Sequence, residues 1–271
     1  MGTHLGQPVK LPIPGVRHLI AVGSGKGGVG KTTVAVNLAI ALGRLGHRTG
    51  LLDADIYGPN VPLMVGVDDV PGGTGERMLP LERHGIKLMS MGFISPADQP
   101  VIWRGPMLHH AMQQFLRNVE WGELDYLVVD LPPGTGDVQL SLIQTVPITG
   151  AIVVTTPSDV ALGDARKAVL MFRQVRVRVL GIIENMSYLV CPHCEGRVEV
   201  FSWGGGRRIA DEMGISFLAE VPLDPEVCEG GDTGLPVAPP LAPARPARPS
   251  RPPSKSRTER AAIHTAAPPP D

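Results

Sequence analysis

Residues 23–33 read GSGKGGVGKTT. Within them GKGGVGKT, 25–32, fits G-x-x-x-x-G-K-[ST], a phosphate-binding loop. Glycines let successive backbone N–H groups curl around phosphate oxygens, and the N-terminus of the following helix adds partial positive charge. Nucleotide contacts are expected along Ser24, Gly25, Lys26, Gly27, Gly28, Val29, Gly30, Lys31, Thr32 and Thr33. Lys31 suits the β- and γ-phosphates of ATP, and the Thr32 hydroxyl suits Mg²⁺. Gly23, Gly25 and Gly28 also spell G-x-G-x-x-G, but a dinucleotide site leaves Lys31 and Thr32 unexplained.

Magnesium also needs an acid across the site. Asp130 ends the run LVVD, where a strand-end aspartate holds metal through water. The turn DLPPGTGD follows, and Gly134 is expected to offer its N–H to the γ-phosphate. Asp53 and Asp55 in DADIYGPN form a second acidic pair. Two carboxylates so spaced at a strand end can divide the work, one near Mg²⁺ and one orienting the attacking water. Lys26 has no place on its own γ-phosphate, because Lys31 occupies that side. A lysine from a second subunit would approach from the open side, as an arginine finger does.

Cys191 and Cys194 stand in VCPHCEG. As a redox motif the first cysteine should open a helix, yet EGRVEVF reads as strand. As a zinc site the pair is only half a ligand set, with His193 and the distant Cys228 as remaining donors. Two thiolates from each of two subunits would make a Cys₄ set for an iron–sulfur cluster at a dimer interface.

These residues need strands to carry them. Apolar runs at 18–23, 48–55, 124–130, 151–156, 177–185 and 217–222 read as strands. Helix-like patterns follow in KTTVAVNLAIALGRLG, VQLSLIQTV and VALGDARKAVLMFRQV. Such alternation predicts a single α/β domain with a doubly wound, mostly parallel sheet and ligands at the strands' carboxyl ends. The 271 residues are 43% hydrophobic but only 4% aromatic, so the core must be aliphatic. Net charge is −1, which favours neither nucleic acid nor membrane as partner. No apolar run is long enough to span a bilayer, and no secretion signal is legible at the N-terminus. A cytoplasmic protein is expected. The expected divisions are an N-terminal extension over 1–15, a nucleotide-binding body over 16–237 and a disordered tail over 238–271. Residues 236–271 hold 11 of the 28 prolines, with six Lys/Arg and two Asp/Glu.

KGGVGKT resembles the deviant Walker A motif of the MinD/ParA/nitrogenase-iron-protein class of P-loop NTPases. That resemblance implies a dimer face to face around two ATPs. It makes Lys26 the lysine reaching into the partner's site, Lys31 the phosphate lysine and Asp55 the water-activating aspartate. An Asn after a late strand reads adenine in that class, and Asn185 in IIENM fits, since an amide pairs bidentately with adenine N6 and N7. Further segments are DADIYGPNVP, VIWRGPM, WGELDYLVVDLPPGTGDVQLSL, GIIENMSY, VCPHC and GGGRRIADEMGISFLAEVPLDP. Together they resemble the Mrp/ApbC type of ATP-binding iron–sulfur carrier across residues 16–237. The family implies a homodimer, slow ATP hydrolysis and a labile [4Fe–4S] cluster on Cys191 and Cys194. It also implies apo iron–sulfur proteins as recipients and a cluster-assembly scaffold as donor. No N-terminal cysteine cluster or accessory domain of the kind some relatives carry is expected, and Trp203 stands where a small residue is usual. The Pro-rich tail also stands where a final helix is expected.

The alternative is a MinD/ParA-like positioning ATPase whose cysteine pair holds zinc structurally. It would need an amphipathic membrane helix or a basic DNA surface, and the body carries 19 basic against 24 acidic residues. Trp103, Arg104 and Trp121 are expected to pack rather than react. His109 and His110 are adjacent on a helix and point apart, and Cys228 is expected to be a buried small residue or a bystander.

Overall fold

The computed structural model describes residues 10–56, 58–74, 77–93 and 114–237. All fall in the first of two units into which the chain divides, Met1–Ala238, the second being Pro239–Asp271. The expected tail over 238–271, most of the N-terminal extension, Trp103, Arg104, His109 and His110 lie outside the described residues.

The elements run β1 (Val16–Ser24), α1 (Lys31–Arg44), β2 (Thr49–Asp53) and α2 (Val61–Val65). A small hairpin follows, β3 (Gly73–Thr74) with β4 (Arg77–Met78), and then β5 (Leu81–Arg83) and β6 (Ile86–Ser90). After α3, described over 114–118, come β7 (Leu124–Asp130), α4 (Asp137–Thr145), β8 (Gly150–Thr155), α5 (Asp159–Gln174) and β9 (Val179–Glu184). A second hairpin, β10 (Leu189–Val190) with β11 (Arg197–Val198), leads to α6 (Gly205–Met213), β12 (Phe217–Glu220) and α7 (Pro225–Thr233).

Eight strands form one sheet in the order β12-β9-β8-β1-β7-β2-β6-β5. Every pairing is parallel except β5 with β6. This is the expected doubly wound P-loop NTPase sheet. All residues of β2 and β8 are buried, as strands covered on both faces must be. Along β1, Leu19 and Ala21 join the core on one face, with Ala165, Ala168 and Phe172 of α5. Ile20 and Val22 join the other, with Val34, Ala35 and Ala39 of α1. Apart from Trp121, Phe115 and Phe172, the most deeply buried large side chains are aliphatic or Met. The register puts Asp130 beside Val22 on one side and Asp53 on the other, so the chemistry-bearing strand ends meet at one edge.

Two elements were not expected. No strand is legible between residues 55 and 124, yet β6 pairs parallel with β2 and brings Ser90 beside Asp53. Lys87 interrupts the apolar run, and its ammonium leaves the core to donate to the Trp121 carbonyl at 2.9 Å. The chain also closes its body with a helix, α7, rather than passing straight into the Pro-rich tail. Pro225 suits the first helical turn, and the Asp224 carboxylate accepts the Glu226 N–H at 2.9 Å. α7 packs on α2 through the glycines that end both helices. Gly66 (φ +66°) and Gly234 (φ +72°) approach so closely that a Cβ on Gly234 would lie 2.4 Å from the Gly66 Cα. Among the described residues no helix is long and apolar enough to cross a membrane.

Candidate functional site

The phosphate loop joins the carboxyl end of β1 to α1. Gly28 and Gly30 have φ of +76° and +78°, a left-handed turn open to glycine at little cost. Gly30 is the N-cap of α1, and no side chain caps that helix. Packing also demands glycine: a Cβ on Gly25 would lie 2.0 Å from the Asp164 carbonyl oxygen of α5. On Gly30 it would lie 2.1 Å from the Asn185 amide nitrogen. The Ser24 hydroxyl donates to the Lys26 carbonyl at 2.9 Å, tying the loop to its strand. Lys26 itself is half-exposed, whereas Lys31 is 6% exposed.

Lys31 and the acids converge. The Lys31 ammonium donates to Asp130 Oδ1 at 2.7 Å, and the Thr32 hydroxyl to Asp130 Oδ2 at 2.7 Å. Asp55 Oδ2 lies 3.9 Å from Lys31 Nζ. Burial pushes the Asp130 carboxyl up, against the opposing pull of Lys31 and Thr32. Asp53 is fully buried and accepts from the Ser90 hydroxyl at 2.9 Å and from the Asp55 and Val61 N–H groups. Burial, with the Asp130 charge next to it, raises its pKa to about 7. The Asp53 bonds fold the 53–61 turn, so this acid braces the loop that carries Asp55. Gly134 (φ +90°) donates its N–H to the Ser24 carbonyl at 3.1 Å, so the turn after β7 rests on the phosphate loop. Asn185 donates Nδ2 to the Val29 carbonyl at 2.9 Å, leaving one amide hydrogen and the oxygen for another partner.

The cysteine pair tips the β10–β11 hairpin, not a helix. Cys191 N–H donates to the Gly196 carbonyl and Glu195 N–H to the Cys191 carbonyl, both at 2.9 Å, with Glu195 left-handed at φ +54°. Backbone N–H groups of His193 and then Cys194, with the Cys194 side chain, lower the Cys191 thiol pKa. That favours thiolate, the form that ligates metal. Cys191 is half-buried and Cys194 exposed, both as free thiols. Among the described residues no group of three or more His, Cys, Asp or Glu side chains could hold a metal ion. Cys228, expected as a buried residue or a bystander, is exposed on α7. Around the hairpin Val190, Val198, Val200, Phe201 and Trp203 leave 43–53% of their surface exposed. At its base the Arg197 guanidinium lies 4.0 Å over the Tyr188 ring and pairs with Glu220 at 3.1 Å.

The structure thus brings Lys31, Thr32, Asp53, Asp55, Asp130, Gly134 and Asn185 around one loop. The run from Asn185 to Cys191 links that loop to the thiols. Three buried polar residues had no sequence signal: Ser90 on Asp53, Glu184 before Asn185, and Gln139 beside Gly23 near the end of β1.

A family model described as ParA, NUBPL iron-transfer P-loop NTPase, matches residues 15–247. The iron–sulfur cluster carrier protein of Aquifex aeolicus is 54% identical over 228 residues, 83% of this chain. The match spans 63% of that relative, so the chain covers just under two thirds of its length. The nucleotide-binding protein of Archaeoglobus fulgidus, solved in complex with ADP, superposes with a TM-score of 0.73 at 38% identity, over 82% of this chain and 88% of that one. The cell division ATPase MinD of Pyrococcus furiosus shares the fold, with a TM-score of 0.58 at 23% identity, over 81% and 89%.

Proposed function

The chain belongs to the ParA family of NUBPL iron-transfer P-loop NTPases, and on that basis we propose that it is an ATP-binding carrier of iron–sulfur clusters. The cargo is a labile [4Fe–4S] cluster held between two copies of the chain. A cluster-assembly scaffold supplies it and apo iron–sulfur proteins receive it. The observation that carries this proposal is the cysteine pair: two thiols at an exposed hairpin tip, with no third metal-binding side chain grouped with them among the described residues. A [4Fe–4S] cluster takes four thiolates, so two hairpins must meet near a twofold axis. The exposed apolar rim from Val190 to Trp203 suits that contact. The Aquifex relative's name as a cluster carrier supports the same view.

The site fits ATP and Mg²⁺. Lys31 and the open first turn of α1 would hold the phosphates, and Asn185 the adenine. Thr32 and Asp130 are paired where a Mg²⁺ ion would be held, with Asp53 beside Asp130 on the next strand. The metal neutralises developing phosphate charge when bound. Asp55 orients the attacking water, and half-exposed Lys26 reaches the partner's nucleotide. Hydrolysis is slow, to ADP and phosphate.

Anaerobic reconstitution followed by iron, sulfide and absorbance measurement tests the proposal. About one four-iron cluster per two chains is expected. Cys191→Ala and Cys194→Ala should each abolish stable loading, and Cys228→Ala should not. One tightly held zinc per chain without sulfide would sink the carrier reading and favour a structural metal knuckle.

A further inference from the structure

We propose that Glu184 is a positioning residue that couples the nucleotide site to the cysteine pair. Glu184 ends β9 and is fully buried. A carboxylate in that setting is costly unless its oxygens are bonded, and these oxygens are divided between Ser187, three residues on, and Gly206, 22 residues on. Oε1 accepts the Ser187 hydroxyl at 2.6 Å. Oε2 accepts the Gly206 N–H in the first turn of α6, where the helix end adds partial positive charge. Gly206 has no room for a side chain there, since a Cβ would lie 3.0 Å from Oε2.

Ser187 stands at the entrance of the segment that carries the thiols, and Gly206 at its exit. One carboxylate therefore closes the whole excursion through β10, Cys191, Cys194 and β11. The residue next to it, Asn185, donates to the Val29 carbonyl and lies against Gly30. Its backbone N–H holds the end of β8 through the Thr155 carbonyl at 2.8 Å. A shift of the phosphate loop against Asn185 thus moves the backbone at Glu184, and with it both attachment points of the thiol segment. Arg197 ties the base of the hairpin to Tyr188 and to Glu220 of β12. The link is a contiguous set of bonds between the two sites, and coupled affinities are what show that it carries a signal. This inference takes from the carrier proposal only that the P-loop binds ATP and that the thiols bind cargo.

The test uses the full chain with Cys228→Ala, so that only the pair is titrated. Phenylarsine oxide takes both thiols of one chain and needs no cluster. Its affinity is measured with and without a saturating non-hydrolysable ATP analogue and Mg²⁺. In the parent the two affinities should differ by about fivefold or more, the lower end of ordinary coupling between sites. In Glu184→Gln the analogue should still bind, and the ratio should fall to about one. Ser187→Ala removes the carboxylate's bond at the entrance, while Gly206 still holds the acid and the Ser187 N–H still donates to the Val221 carbonyl at 2.9 Å, and it should shrink the ratio as well. General loosening of the fold would change both affinities alike and leave the ratio intact. A parent ratio near one with analogue bound, or a full ratio retained in either variant, overturns the proposal. Failure of cluster reconstitution leaves this measurement unaffected, so the two ideas fail separately.

Discussion

Lys31 and Lys26 share a loop and differ in their surroundings, so their loss should differ in kind. Lys31 is buried against Asp130, and its ammonium is the charge proposed to hold the phosphates. Lys31→Ala should weaken ATP binding about 10- to 150-fold, the worth of a hydrogen bond to a charged group, as read by equilibrium titration. Lys26→Ala should leave that affinity within about twofold yet slow hydrolysis if, as proposed, it acts on a neighbour's nucleotide in the transition state. Normal turnover in Lys26→Ala would remove the shared site. Asp55→Asn should keep ATP bound and impair turnover. Gln139 makes a different point. It is 1% exposed, and neither its amide oxygen nor its nitrogen has a hydrogen-bond partner. Met fills a similar volume without that polarity, so Gln139→Met should stabilise the fold by about 1–3 kcal/mol. Thermal melting checks it, and a lower melting temperature would mean the amide has a bonding role that outweighs its burial.

At the scale of elements, close backbone contacts set the limits. Gly25→Ala would drive a methyl into the α5 backbone at Asp164, so nucleotide binding should be lost even if the chain folds. Gly234→Ala strains a left-handed residue and presses on Gly66 together, and should cost about 2–4 kcal/mol. That is a fall of roughly 4–16 °C in a body this size, visible by calorimetry. An unchanged melting temperature would show that α7 adds little to the fold. The sheet was legible because β1, β7 and β8 each hold three or more consecutive aliphatic residues, LIAV, LVV and AIVV, with a turn following. Lys31, Thr32 and Asp130 were legible for a related reason: a local motif fixes two of them, and a strand end fixes the third. Ser90, Glu184 and Gln139 were not, because each depends on partners that only folding brings near. Ser90 meets Asp53 across 37 positions of chain, and Glu184 meets Gly206 across 22. β6 was hidden by Lys87, whose charge breaks the apolar pattern while its stem remains in the sheet.

For the whole molecule, the proposed cluster needs two chains, so loading should depend on protein concentration. Dilution at constant iron and sulfide should strip the cluster, whereas a site closed within one chain would keep it. Deleting residues 238–271 should leave the melting temperature and loading nearly unchanged, since so proline-rich a segment has little means to pack. A fall of several degrees would instead mean that part of it docks on the body.

The two margins of the central sheet carry a last consequence. β5 is three residues long and ends in Glu82 and Arg83. β12 has four residues, with its register to β9 shifted between Phe217 and Ala219, and it ends in Glu220. Short, charged or bulged margins are poor templates for another strand. Among the described residues, the margins of the central sheet therefore give copies of this chain no ready means of adding strand to strand into ribbons. Crowded together, they should pair through their loops and stop, which keeps a protein with sticky thiols and exposed aromatic side chains from growing into fibres.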